Sequence, residues 1–252
     1  AAFFGTWRAW AFPREEVWGG RYHPNATWNF EKRLSDGGAP ERPIIVADQR
    51  GGAAVVWSQG EDGGSRIVVS RFEPDAGWVG PVWIGQSELS LDGGRLESPS
   101  VASDGVGNLF VTWQETWYDH SRAWMGRYVV DAGWNAPTPF DTEDSGTVIL
   151  DSTPFAAASA SGQAVVLWSR GISGSGIPYR IWARRFSPDV GWSDAGPVFE
   201  GDGGDEAAPA AAIDGFGNVV AVWRRAVGGF GTTWSARFAV DGGWSAPAPL
   251  QT

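Results

Sequence analysis

The chain has 252 residues and a formal net charge of −10, with 17 Trp, 36 Gly and 16 Pro but no Cys. That charge argues against a nucleic-acid backbone or an anionic membrane as partner, and the missing Cys exclude disulfides, a thiolate nucleophile and Cys-based zinc sites. No apolar run reaches the roughly 18 residues a spanning helix needs, so no membrane insertion is expected.

The N-terminus, Ala1-Ala2-Phe3-Phe4, lacks an initiator Met, which fits cleavage by a signal peptidase as well as simple Met removal. Residues 1–34 read as three strands, with Trp7 on the first, Arg21 before a turn and Trp28 after it. From residue 35 a longer unit begins. Pro43 to Asp48 and Gly51 to Trp57 are two short apolar runs around a turn. Ser65 to Ile84 is a hairpin carrying Arg71, a tight Pro74-Asp75-Ala76-Gly77 turn and a strand that opens on Trp78. Gly and Pro punctuation of this kind marks short strands rather than helices.

The unit repeats. Arg and Trp stand seven apart at Arg21/Trp28, Arg71/Trp78, Arg127/Trp134, Arg185/Trp192 and Arg237/Trp244. Pro and Trp stand 14 apart at Pro43/Trp57, Pro99/Trp113, Pro154/Trp168 and Pro209/Trp223. Each Pro is expected to open its strand, where a missing N–H is tolerated. Asp48, Asp104, Ser159 and Asp214 begin the following turns, and Gly51, Gly107, Gly162 and Gly217 give them backbone freedom. Four antiparallel strands repeated four to eight times are the signature of a β-propeller. The expectation is therefore an all-β chain, a single domain over 1–252. Its five blades, of about 50–56 residues, fall near 1–34, 35–84, 85–140, 141–199 and 200–252. The first blade lacks its innermost strand, so either it is three-stranded, or upstream residues are absent, or the chain belongs to a larger propeller or assembly.

The hairpin between third and fourth strands resembles the Asp-box, or BNR, repeat of sialidase-type propellers. Asn25, Asp75, Asp131, Asp189 and Asp241 occupy the Asp slot. Here Asp and Trp are three apart, and the Thr step of the family's Ser-x-Asp-x-Gly-x-Thr-Trp pattern is absent except for Thr27. The resemblance implies the fold. Sialidases of that family use three arginines on a carboxylate, a Tyr–Glu pair and an Asp acid/base. This chain has no Arg-Ile-Pro motif opening its first blade, and Arg180-Ile181 sits on a third strand.

Residues present in every blade belong first to the fold. The repeat Trp are expected to pack between sheets with the indole N–H on a turn carbonyl, and the repeat Arg to pair with the turn Asp or a backbone carbonyl. Loops one-to-two and three-to-four keep a constant length, whereas loops two-to-three and four-to-one vary. The gap from fourth-strand Trp to the next Pro, for example, runs 15, 21, 20 and 17. The variable-loop end is therefore the expected functional end. On it, Trp117-Tyr118-Asp119-His120 has no counterpart in the other blades and offers a stacking surface beside a carboxylate and an imidazole. Trp10 and Trp83, also outside the repeat, are further candidates. Asp-Gly-Gly recurs at Asp36, Asp92 and Asp202. Oxygen ligands there suit calcium, yet no segment has calcium-loop spacing, so turns are expected and no cofactor.

With His23 and His120 the only imidazoles and no Gly-x-Ser-x-Gly elbow, nucleophilic catalysis has little to stand on. Paired carboxylates for glycoside chemistry stay open. The leading expectation is a non-catalytic, lectin-like module that binds a carbohydrate or a protein partner and works in an extracellular or periplasmic setting, as an exported bacterial protein would. The alternatives are a glycan-processing enzyme and a scaffold.

Overall fold

The structure is a computed structural model that describes residues 3–11, 14–23, 27–61, 64–86, 94–140, 149–172, 176–200, 204–227 and 230–250. All regular structure among them is β. Blade 1 is β1 (Phe3–Ala11), β2 (Arg14–His23) and β3 (Thr27–Arg33), paired in that order. Blade 2 is the meander β4 (Ala39–Ala47), β5 (Ala53–Glu61), β6 (Gly64–Glu73) and β7 (Gly77–Gln86). Blade 3 comprises β8 (Arg95–Ser103), β9 (Leu109–Thr116), β10 (Ser121–Val129), β11 (Gly133–Trp134) and β12 (Thr138–Pro139). Blade 4 comprises β13 (Ile149–Ala158), β14 (Ala164–Ile172), β15 (Arg180–Ser187), β16 (Gly191–Trp192) and β17 (Gly196–Pro197). Blade 5 comprises β18 (Asp205–Ile213), β19 (Val219–Val227), β20 (Phe230–Ala239), β21 (Gly243–Trp244) and β22 (Ala248–Pro249). The expected five antiparallel blades, the first with three strands, are what the chain adopts. In blades 3 to 5 the fourth strand is broken into two short pieces that both pair with the third. A single parallel bridge, Ser121 to Leu150, joins blades 3 and 4 into one sheet.

The turns form as their residues dictate. Asp48 Oδ1 accepts the N–H groups of Arg50 at 2.8 Å and Gly52 at 2.7 Å, and Asp104 and Asp214 repeat the arrangement. Gly51, Gly107, Gly162 and Gly217 take φ between 84° and 97°, a region that favours glycine.

The repeat Pro does not open its strand. β4, β8, β13 and β18 each start several residues earlier, and the Pro sits at a bulge. Register shifts occur at Glu41/Ile44, Glu97/Ser100, Ser152/Phe155 and Ala207/Ala210. The residue before each Pro has a positive φ: Arg42 48°, Ser98 52°, Thr153 47° and Ala208 53°. A bulge leaves one residue out of the ladder, so Pro's missing donor costs nothing there.

The core lies between blades. Trp57, Phe72 and Trp78 of blade 2 pack against Val17 and Leu34 of blade 1. Trp113 packs against Val56 and Ile67, Trp168 against Ala123 and Phe140, and Trp223 against Leu167 and Ile181. In blades 2 to 5 the second-strand Trp thus faces the preceding blade, and a buried side chain of this kind contributes ~1.5–3 kcal/mol.

The repeat Arg reach the other way, and here the expectation of a turn Asp or carbonyl partner is corrected. Arg21 lies over the ring of Phe72 at 5.6 Å, Arg71 over Tyr128 at 4.1 Å, Arg127 over Phe186 at 4.2 Å and Arg185 over Phe238 at 3.7 Å. Each guanidinium therefore staples its blade to the next, a contact worth ~0.5–2 kcal/mol depending on how dry it is. The indole partners differ as well. Trp57 Nε1 donates to Gln59 Oε1 at 3.0 Å and Trp168 Nε1 to Asp151 Oδ1 at 3.1 Å, whereas Trp78 and Trp223 bury theirs without a hydrogen-bond partner.

Two flanks are uncovered among the described residues. Val220 on blade 5 is 43% exposed, while its counterparts Ala54, Phe110 and Val165 are buried. At the other end Trp28 of blade 1 is 46% exposed and packs edge-on to Trp7 and Tyr22. Among the described residues no helix is long and apolar enough to cross a membrane.

Candidate functional site

The β9–β10 hairpin carries Trp117 to His120 at the variable-loop end of blade 3. It is closed by the Trp117 N–H donating to the His120 carbonyl at 2.8 Å. The Trp117 and His120 rings stack at 4.4 Å with 15° between planes, and His120 Nδ1 lies 2.6 Å from Asp119 Oδ1. That contact holds the Asp119 carboxyl below its usual range. Tyr118 is 100% exposed. Of the expected site residues, Trp117, Tyr118, Asp119 and His120 are therefore together. Trp83 is elsewhere, on the outermost strand of blade 2, with the Arg66 guanidinium 3.7 Å over its ring. Trp10 lies on β1 opposite Glu15, and its side chain is outside the described residues. Asp36 is exposed and accepts from Gln59 Nε2 at 3.0 Å. Asp92 and Asp202 lie outside the described residues, among which no group of three or more His, Asp or Glu could hold a metal ion.

Blades 2 to 5 each carry, near the same end, a polar or charged residue that spacing alone did not single out. Two residues after the second-strand Trp stand Gln59, Glu115, Arg170 and Arg225, each directly opposite an inner-strand residue: Pro40, Leu96, Asp151 and Glu206. This position changes charge from blade to blade, and aligning the repeats on their Trp would have exposed it. Glu115 also faces Arg122 across β9 and β10. Burial pushes the Glu115 carboxyl above the usual range, with the Trp124 indole, Arg122 and His120 pulling the other way.

Asp151 is wholly buried and reaches across the blade 3/4 interface. It accepts from Trp168 Nε1 at 3.1 Å and from the Ala123 N–H at 3.4 Å, with Arg170 Nε at 3.3 Å. Desolvation pushes its carboxyl up to about 7 against those donors and the charge of Arg122, and burial lowers Arg170 to about 10. In blade 5 the equivalent Glu206 accepts the Ile181 N–H at 2.9 Å. Both acids therefore close an open backbone donor of the preceding blade, a structural task. Among the described residues, Glu115, only half buried, combines a raised affinity for its proton with access from solvent. On its other flank blade 3 presents Glu97, whose Oε1 accepts from Thr116 Oγ1 at 3.0 Å.

No protein-family model and no curated protein matches the chain. Solved structures do. A polysaccharide lyase of family PL25, an ulvan lyase, superposes with a TM-score of 0.62 at 10% identity over 94% of this chain and 63% of its own. An α-L-arabinanase of Penicillium chrysogenum bound to arabinobiose gives 0.62 at 14% identity, over 97% of this chain and 76% of its own. Trypanosoma rangeli sialidase gives 0.55 at 16% identity, over 98% of this chain and 42% of its own. The chain thus spans under two thirds of the lyase and under half of the sialidase. The fold is that of the sialidase-like and arabinanase-like β-propellers, and these structural neighbours are carbohydrate-active enzymes.

Proposed function

We propose that the protein acts on a carbohydrate at the variable-loop end of blade 3, cleaving a glycan bond with Glu115 as the proton donor. The observation that carries this is the half-buried Glu115, paired in register with Arg122 on the next strand and two residues before Trp117 of the stacked pair, with burial raising its proton affinity. A carboxylic acid whose proton affinity is raised by burial can protonate a leaving oxygen, and the exposed Tyr118 beside a stacked pair suits a sugar ring. The structural neighbours that act on arabinan, ulvan and sialosides support the same class of ligand. We read the Asp-turn-Trp hairpins as a shortened Asp-box, the five blades as one domain, and the setting as extracellular or periplasmic.

One observation favours a second reading, recognition without turnover. Asp151, the other carboxyl with a raised proton affinity here, is wholly enclosed and bonded on both oxygens, so it cannot serve as the partner acid of a two-carboxylate mechanism. Measuring binding and reducing-end release on a polysaccharide panel separates the two. The enzyme reading expects Glu115→Gln to keep binding and to lose on the order of 100-fold or more in rate, and Tyr118→Ala to weaken binding. Native protein that binds but never cleaves supports the lectin reading. A panel neither bound nor cleaved sinks both.

A further inference from the structure

The opposite, constant-loop end holds two clefts that are the same cleft repeated. One, of about 280 Å³, lies between blades 2 and 3 and is lined in part by Arg71, Glu73, Val106, Gly107 and Val130. The other, of about 250 Å³, lies between blades 4 and 5 and is lined by the equivalent Arg185, Ser187, Phe216, Gly217 and Val240. They differ at one informative position. In the first, Glu73 stands two residues after the repeat Arg and sets its carboxylate 3.0 Å from Arg71 Nη2. In the second, that position is Ser187, which is too short and uncharged to do so.

Arg185 consequently has no carboxylate within ion-pair distance and no partner for its guanidinium N–H groups among the described residues. One face of the group is covered by Phe238 at 3.7 Å. Burial alone shifts it, downwards, with no neighbouring acid to offset the cost, whereas Arg127 has Asp104 nearby. Around the opening, Val190 and Phe216 are 86% and 83% exposed. Such side chains give an apolar rim to a slot whose floor offers a cation.

We propose that the blade 4/5 cleft binds a small ring-bearing carboxylate, its carboxylate seated on Arg185 as Glu73 is seated on Arg71. The volume suits one six-membered ring with its acid group, since a cavity of about 150 Å³ already holds benzene. Guanidinium–carboxylate contacts are charge-assisted and stronger than neutral ones. The chemistry fits a sugar acid or a plain cyclic acid. Phe216 and Val190 serve either ring, and Gln163 and Ser187 serve sugar hydroxyls.

The test titrates the full chain with cyclohexanecarboxylate and with glucuronate, alongside cyclohexanecarboxamide and glucose as uncharged counterparts of each. Binding of at least one acid and of neither neutral analogue is expected, and the acid that binds identifies the source. Arg185→Gln should weaken it about tenfold or more. Ser187→Glu keeps Arg185 on Phe238 and supplies the chain's own carboxylate, so it should abolish binding without unfolding the blade. Glu73→Ser should open the second cleft and raise the stoichiometry from one towards two. Equal binding of acid and neutral analogue, no effect of Ser187→Glu, or no saturation by either acid overturns the proposal.

Discussion

At the scale of single residues, Asp151 shows how a buried acid ties stability to pH. Its folded value of about 7 lies above the ordinary Asp value of 3.8, so the folded state holds the proton more tightly. That contribution is complete below the unfolded value and is lost as pH rises through about 7, at ~1.4 kcal/mol for each tenfold difference in proton affinity between the folded and unfolded states. Thermal unfolding of the native protein should therefore show this loss between pH 5 and pH 8. Asp151→Asn, which cannot titrate, should unfold with a smaller difference between the two pH values. An equal difference would show that Asp151 is not the group responsible. The sequence located the repeat Trp and Arg because their spacing is constant. It hid Asp151, Glu115 and Arg170 because they occupy repeat positions whose residue type changes, where a pattern search sees only noise.

At the scale of elements, the bulge at each X-Pro step explains why inner strands were legible in composition but not in extent. Pro reads as a boundary, yet pairing runs on both sides of it because the preceding residue leaves the ladder at positive φ. Thr153 is the costliest occupant, since a β-branched residue at φ 47° is strained. Thr153→Gly should stabilise the protein by about 1 kcal/mol, relief of strain exceeding glycine's entropy cost. Ala157→Gly, in the same strand without a positive φ, should destabilise it by ~0.5–1 kcal/mol. Chemical denaturation of the two variants checks the pair, and destabilisation by both would mean that the bulge carries no strain. Loop length singles out an end of the blades but not Glu115, which lies on a strand of constant spacing beside the irregular Trp117–His120 hairpin.

At the scale of the whole molecule, stability is a chain of blade-to-blade contacts, each needing the next blade in place. Arg127→Ala removes a guanidinium lying on Phe186 and should cost ~1–2 kcal/mol in urea unfolding. Arg237→Ala alters the same repeat position on the uncovered flank of blade 5 and should cost no more than ~0.5 kcal/mol. Equal costs would show that the arginines act within their own blades. Sequence spacing could not reveal this, because the segment between each Arg and its ring includes the loops that vary in length.

The one-way reach of Arg onto the next blade's ring also constrains how such a chain can be inherited. Duplicating or deleting one complete inner unit leaves every guanidinium at a blade-to-blade junction facing a ring, since each unit brings one of each and hands one on. Joining Arg71 to Phe186 by excising blade 3 would reproduce a junction of the kind already present. Copying half a unit would strand a cation on one side or an aromatic face on the other. Descent by whole copies is then the economical route, and the constant seven-residue step from Arg to Trp is the trace that such copying leaves.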